Sequence, residues 1–397
     1  MRGPRAAAVA VLGLALTAAC GAQPSEESAG PSLVGPTPGD GSTQPSGADD
    51  AGPALPAGPT LPAATEQPQD VLTGLDAPWS LAFLPGGALL VTERDAARVL
   101  LVTEAGPAHL AGPGAEELVE GTLTDGEGGL LGVAVPPDVG TQDGGRPPLL
   151  LYRTTATGNE VVRGALDLTD PVRPRLGPLE VVLDGIPAAS THNGGRLAFG
   201  PDGHLYVTTG DAAEPGSAQQ PGSLAGAVLR VTVDGDPAPG NPDPASPVWS
   251  RGHRNVQGIA WHEDGRMVAS EFGQSEVDEL NLVEPGSNYG WPEVEGTGGG
   301  PGFTDPLVTW PTSEASPSGI AVTGSTVHLA ALRGARLWSV DLDAPALEPV
   351  ATLEGELGRL RDVVAGPDGA LWVLTNNTDG RGDPRAGDDR LVRLTPP

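Results

Sequence analysis

From Val71 to the C-terminus the apolar residues fall in short alternating runs, and helical spacing is nearly absent. Alternation at period two marks strands, and here each run is followed by a tight polar turn and a second alternating run. The unit reads Leu81-Ala-Phe-Leu-Pro-Gly-Gly-Ala-Leu-Leu-Val-Thr92 at its first appearance. It returns at Gly132–Asp138, with a longer connection to Leu149–Tyr152, and then at Leu197–Thr208 and Ile259–Ser270. A weaker copy spans Ile320–Ala330, and Val363–Leu374 closes the series. The Asp-Gly and Pro-Asp-Gly turns supply the positive φ that tight hairpins need. Six units over about 327 residues give about 55 residues each, enough for four strands and their loops. A lone hairpin cannot cover its own apolar face, whereas radial stacking of hairpins can. The pattern predicts an all-β fold, a six-bladed β-propeller of four-stranded antiparallel blades, over residues 69–397. A pair of β-sandwiches is the alternative, against which the repeat length argues. In a propeller the loops of several blades meet at the central channel, where the chemistry is expected.

Composition narrows the partners. The 397 residues carry 51 acidic and 22 basic side chains, every basic one an Arg, for a net charge of −29. Such a surface repels phosphate backbones and anionic lipid, which excludes nucleic acid as a partner and leaves a membrane only through an anchor. The single cysteine, Cys20, excludes an internal disulfide and a thiolate zinc cluster. It ends a segment in which Arg2 and Arg5 precede an apolar run from Ala6 to Leu16, too short to span a bilayer as a helix. Residues 1–19 therefore read as a signal peptide, and their end resembles a bacterial lipobox with Thr17 in place of the usual Leu. Cleavage would leave Cys20 as a lipidated first residue; an ordinary signal peptide with a stray cysteine is the alternative. Residues 20–68 follow as a tether, with ten Pro, eight Gly and no aromatic residue, expected to be disordered. The protein is thus expected outside the cytoplasm, held to the membrane by lipid.

Four segments between the repeats carry polar residues that a bare propeller does not require. Ser190-Thr-His-Asn-Gly-Gly-Arg196 and Thr208-Thr-Gly-Asp211 flank one hairpin, so His192 and Asp211 could meet at one end of a blade. A carboxylate beside an imidazole fixes its tautomer and raises its basicity, as a general base requires. Arg251-Gly-His-Arg-Asn-Val-Gln-Gly258 brings Arg254 and Asn255 together, a cationic fork and an amide suited to a planar anion or quinone oxygens, or else a surface salt bridge. Glu271-Phe-Gly-Gln-Ser-Glu-Val-Asp-Glu-Leu-Asn281 and Gly286-Ser-Asn-Tyr-Gly-Trp-Pro292 offer oxygen ligands for Ca²⁺ without EF-hand spacing, or form a solvated acidic loop. Arg359 and Arg361, at i and i+2 in Gly358-Arg-Leu-Arg-Asp362, would point the same way on a strand. Two converging guanidiniums call for an anion, unless each is matched to a nearby acid.

Taken in order, these segments resemble the soluble PQQ-dependent glucose/sorbosone dehydrogenase family, the aldose sugar dehydrogenases. The similarity runs from Leu75-Asp-Ala-Pro-Trp-Ser80 to the C-terminus and includes Gly126-Glu-Gly-Gly-Leu-Leu-Gly132, Leu224-Ala-Gly226 and Trp310-Pro-Thr312. The resemblance implies a quinoprotein that oxidises the C1 hydroxyl of an aldose to a lactone and passes hydride to Ca²⁺-bound PQQ, with an external or membrane electron acceptor. It implies His192 as base, Asp211 as its orienting carboxylate, and Arg254 and Asn255 at the quinone and substrate. Arg359 and Arg361 would hold the PQQ carboxylates. The carbonyls of Gly273 and Gln274 would hold one Ca²⁺, and Glu279 with the Tyr289 carbonyl a second. Gln219 is a further substrate- or cofactor-side amide. The sequence departs from the family pattern at Glu127, where Gln faces PQQ, at Thr191 before the base, and at a missing Lys whose neighbourhood holds Arg333. The alternative function is a non-catalytic Ca²⁺-binding propeller that recognises a carbohydrate or protein partner; a propeller lactonase is a second, against which the paired arginines argue.

Overall fold

The computed structural model describes residues 68–137 and 146–394. The expected signal peptide over 1–19, Cys20 and the expected tether as far as residue 67 lie outside the described residues. Six antiparallel sheets follow in chain order, each about one of the six hairpins foreseen from the pattern. The first comprises Pro78–Phe83, Leu89–Glu93, Arg98–Thr103 and Gly106–His109. The second runs from Leu130–Ala134 to Glu180–Ile186 and carries a short extra strand, Arg175–Leu176. The third, fourth and fifth span 197–251, 256–311 and 317–352. The sixth holds Leu360–Ala365, Leu371–Thr375 and Arg390–Leu394, and its outermost strand is Gln69–Thr73 from the other end of the domain. The ring is thus closed by backbone hydrogen bonds between its first and last strands. Each innermost strand packs on the next, and the sixth returns to the first. The architecture is the six-bladed propeller of four-stranded blades; among the described residues one α-helix, Pro113–Gly121, lies between the first two blades.

Alternation explains the stacking. In the first blade Leu90 and Leu101 face the second blade, while Leu89, Val91 and Leu100 face the sixth. One hydrophobic cluster fills each interface between successive blades, so both faces of every sheet are covered. Adjacent side chains on a strand point to opposite faces, so one period-two run feeds two interfaces.

The innermost strands are irregular in a repeated way. The register slips between Pro78 and Ser80, Leu130 and Val133, Val256 and Gly258, Pro317 and Ile320, and Leu360 and Asp362. A bulge places an extra residue out of alternation and re-aims its side chain. Here the extra residues include Trp79, Gln257, Ser318 and Arg361; all but Ser318 border the central cavity, and Trp79 also packs in the interface of the second and third blades.

Beneath them an ion pair crosses the ring. Arg196 of the third blade donates to Asp362 of the sixth at 2.7 Å, to the Ser80 hydroxyl at 2.8 Å and to the Gln257 carbonyl at 2.8 Å. Its guanidinium lies 4.4 Å from the centre of the Trp79 ring. Asp362 also accepts the Leu81 N–H at 2.8 Å, and both charged side chains are buried. Removing one partner of such a pair leaves an uncompensated buried charge. Asp362→Ala is therefore expected to destabilise the domain by about 3–5 kcal/mol, read as a lower denaturant midpoint. A midpoint within error of the wild type would show that the channel floor does not need the pair.

Candidate active site

Three of the bulge residues, Trp79, Gln257 and Arg361, line a cavity of about 280 Å³ at the centre of the ring. Five guanidiniums border it, from Arg94, Arg333, Arg359, Arg361 and Arg381, against one carboxylate, Glu127. Arg94 is matched by Asp95 at 2.6 Å and Arg359 by the buried Asp379 at 3.1 Å. Among the described residues Arg333 and Arg361 have no acid partner. Arg361 is buried and donates only to neutral oxygens, those of Gln257 and Asn376 at 2.9 Å and the Ser318 hydroxyl at 3.4 Å, and its Nε has no partner among the described residues. Burial, with Arg94 and Arg359 nearby, pushes its pKa well below the ordinary guanidinium range. In a protein of net charge −29, this surplus of buried cation fits an anion with several carboxylates. Arg359 and Arg361 do reach one cavity, although the register slip between Leu360 and Asp362 replaces simple strand alternation as the reason.

Next to the wall residues Asn193 and Gly194 the third and fourth blades assemble an imidazole site, although neither His192 nor Asp211 itself lines the cavity. His192 Nδ1 lies 2.7 Å from Asp211 Oδ1. The other Asp211 oxygen accepts the Trp291 indole N–H at 2.8 Å, and Oδ1 also accepts the Ala213 N–H at 2.8 Å. Burial works against the Asp211 charge, yet these donors hold its carboxyl below the usual range. With Nδ1 facing a carboxylate, the tautomer that donates there leaves Nε2 with a free lone pair. The backbone is stitched to match. Asp211 N–H donates to the Arg254 carbonyl at 2.8 Å, Ala212 N–H to the His192 carbonyl at 3.2 Å, and Gly194 N–H to Asn255 Oδ1 at 3.0 Å. A Cβ at Gly210 would stand 1.9 Å from the His192 carbonyl oxygen, so only glycine permits this approach.

The remaining candidates are placed one layer away. Arg254 lies 5.5 Å from the Trp291 ring centre and donates to Gln274 Oε1, in contact with the cavity wall only through Phe272. Asn255 is buried and its carbonyl oxygen is committed to Gly194. Gln219 does not line the cavity. Its amide is spent on Asn288 at 3.0 and 2.8 Å and on the Trp291 carbonyl at 2.7 Å, so it braces the loop that carries the indole. Glu127, read from sequence as a charge opposed to an anionic ligand, is neutralised by Arg381 at 2.9 Å. Arg333 stands on the cavity wall where the Lys is missing.

The acidic segment folds against Arg254. The N–H groups of Gln274, Ser275 and Glu276 converge on one oxygen of Glu295 at 2.7–2.9 Å, and neither the Gly273 nor the Gln274 carbonyl accepts a hydrogen bond. Beside them Glu271, Glu279, Glu295 and Tyr289 border a hollow of about 10 Å³. Burial and the neighbouring Glu271 push the Glu279 carboxyl up to about 8, and the buried Asn281 Oδ1 has no partner. No group of three His, Cys, Asp or Glu side chains among the described residues forms a metal cage. A cation there would take Glu279 together with backbone carbonyls, and the crowded carboxylates fit one.

Arg94, Arg381 and Trp291 were not singled out in the sequence. Arg94, Phe272 and Arg333 share a signal: each follows the second strand of an inner hairpin by a few residues, the same phase at which Asp211 occurs. Those loops open onto the cavity.

The glucose/sorbosone dehydrogenase family model matches residues 75–392. A solved PQQ-bound aldose sugar dehydrogenase from Streptomyces coelicolor is 50% identical, with a TM-score of 0.76 over 82% of this chain and 96% of its own. Aldose sugar dehydrogenase YliI of Escherichia coli is 29% identical over 344 residues, 77% of this chain and 89% of that protein. Quinoprotein glucose dehydrogenase B of Acinetobacter calcoaceticus is 30% identical over 255 residues, 57% of this chain and 52% of that protein. The match spans all six blades and every segment that builds the cavity, and the chain belongs to the glucose/sorbosone dehydrogenase family.

Proposed function

We propose that this protein is a PQQ- and Ca²⁺-dependent dehydrogenase that oxidises the C1 hydroxyl of an aldose to a lactone. The observation that carries the reading is the His192–Asp211 pair, 2.7 Å apart, with His192 next in the chain to Asn193 and Gly194 on the wall of a cavity bordered by five arginines. Bound PQQ supplies a two-electron acceptor for the hydride from C1. Arg359, Arg361 and Arg333 would hold its carboxylates, and the Gly273 and Gln274 carbonyls the Ca²⁺ that accompanies it. Glu279 and the Tyr289 carbonyl would take a second, structural Ca²⁺. His192 Nε2 takes the proton of the C1 hydroxyl, and Asp211 steadies the imidazolium that forms. Trp291 and the Ala213 N–H keep the Asp211 carboxylate in place for that task. Arg254, fixed on Gln274, adds positive potential where negative charge develops. An external or membrane acceptor would take the electrons, which suits a site outside the cytoplasm and a lipid anchor at Cys20.

The direct test reconstitutes the purified full chain with PQQ and Ca²⁺ and follows dye reduction across a panel of aldoses. Turnover is expected with at least one sugar, and His192→Ala should lower kcat by about 10²–10⁴-fold with PQQ still bound. PQQ binding without turnover of any aldose would overturn the assignment. Asp211→Asn presents an amide whose NH₂ favours the wrong imidazole tautomer, and kcat should fall by about 10²-fold or more with KM little changed. A fall in KM-limited binding alone would deny Asp211 its orienting role. For the anchor, Cys20→Ser should release the protein from the membrane fraction; a membrane fraction unchanged by the substitution would rule the lipid out.

A further inference from the structure

Glu127 stands out because it is the one carboxylate on a wall otherwise charged by arginines. Its position is closely fixed. Its own N–H donates to the Ser190 carbonyl at 2.8 Å, and its Oε2 accepts the His192 N–H at 3.1 Å. A Cβ at the preceding residue, Gly126, would stand 2.2 Å from the same Ser190 carbonyl, so the two loops touch through bare backbone. His192 has φ +59°, a left-handed conformation that an imidazole-bearing residue adopts only when held there. Glu127 is thus one of the clamps on the backbone of the proposed base.

The other oxygen of Glu127 faces across the cavity mouth. Arg381, on the loop between the last two strands of the sixth blade, donates to Oε1 at 2.9 Å. The Glu127 side chain is mostly buried, 20% exposed, whereas Arg381 reaches in from solvent at 52%. Burial alone would discourage the Glu127 charge, but the His192 N–H and Arg381, with Arg361 behind, hold its carboxyl below the usual range. It stays ionised at neutral pH, in a cavity shaped for an anion. An ion pair at a surface contributes little to stability. Its weight here falls on whatever anion enters beside it.

We propose that Arg381 is a cofactor-affinity residue acting through Glu127: it cancels the one negative charge on the cavity wall, so that an anchor needed by the His192 backbone does not repel a polycarboxylate ligand. The inference rests on the PQQ reading above. It makes the sixth-blade loop part of the binding site although Arg381 is half exposed and 254 residues from its partner.

Charge cancellation and direct contact make different demands on a double-mutant cycle. PQQ affinity is measured on the apo protein by quenching of tryptophan fluorescence, since Trp79 lines the cavity. Arg381→Ala should weaken binding about ten- to a hundredfold, because it leaves the buried Glu127 charge unopposed. Glu127→Gln keeps an oxygen to accept the His192 N–H but removes the charge, and should bind PQQ at least as tightly as the wild type. The double variant should return to within about threefold of the wild type, a coupling that independent contacts would not give. Thermal midpoints of all variants are expected to agree within about two degrees, given the modest worth of an exposed pair. An Arg381→Ala protein that binds like the wild type overturns the inference and leaves the PQQ reading standing. So does a double variant as weak as Arg381→Ala, which would mean that Arg381 grips the ligand directly. Failure of the wild type itself to bind PQQ overturns both.

Discussion

A guanidinium and a carboxylate meet in the dry floor of this propeller, and the geometry above them depends on that meeting. Arg196 and Asp362 come from the third and sixth blades, and their hydrogen bonds extend to Ser80 and Leu81 of the first and Gln257 of the fourth. Apolar packing at the six blade interfaces supplies the driving force for closure, but it is non-directional and tolerates sliding. The buried pair tolerates little, because a displaced partner would leave a charge without water or counter-ion. It therefore fixes Trp79, on which Arg196 stacks at 4.4 Å and to which Arg361 comes within 5.9 Å from the cavity. The wall of the candidate site is built upward from this floor.

The same logic runs in reverse one layer higher. Arg361 is as buried as Arg196 yet faces only neutral oxygens, and its Nε is unsatisfied. An interior optimised for stability alone would not carry that charge. Acidic side chains are plentiful, 51 in all, so the missing counter-ion is not a matter of supply. Yet among the described residues Glu127 alone of the carboxylates borders the central cavity. The imbalance is what a site looks like when the compensating charge belongs to a ligand. The crowded Glu271 and Glu279, bridged by the Asn281 amide at 3.1 Å to each, mirror it with the opposite sign.

What could be read in advance follows from distance along the chain. The six hairpins were legible because a strand, its turn and the next strand occupy a dozen residues, and period-two alternation reports a sheet directly. His192 and Asp211 were legible because both flank one hairpin. The partners of Gln219 were not legible, because an amide carries no signature of them and Asn288 lies 69 residues away. The bulges that turn Trp79, Gln257 and Arg361 into the channel leave no mark in the alternation, since one extra residue is absorbed within an apolar run. Arg196 and Asp362 are 166 residues apart, Trp291 and Asp211 are 80 apart, and only the closed ring joins them. Family resemblance supplied the order of the segments, which local pattern could not.

The imidazole concentrates these constraints. His192 is held by the Asp211 carboxylate on its ring, by Glu127 on its N–H and by Ala212 on its carbonyl. Each of those groups is fixed in turn, Asp211 by Trp291, Trp291 by Gln219, and Glu127 by Arg381. A left-handed residue persists where its surroundings over-determine it, and a single hydrogen bond to Asp211 would not by itself preserve its direction. Supports drawn from the second, third, fourth and sixth blades make the ring orientation a property of the whole torus. In the proposed reaction an imidazole set this way needs no rearrangement before it accepts a proton, and preorganisation of this kind is where an enzyme's rate is gained.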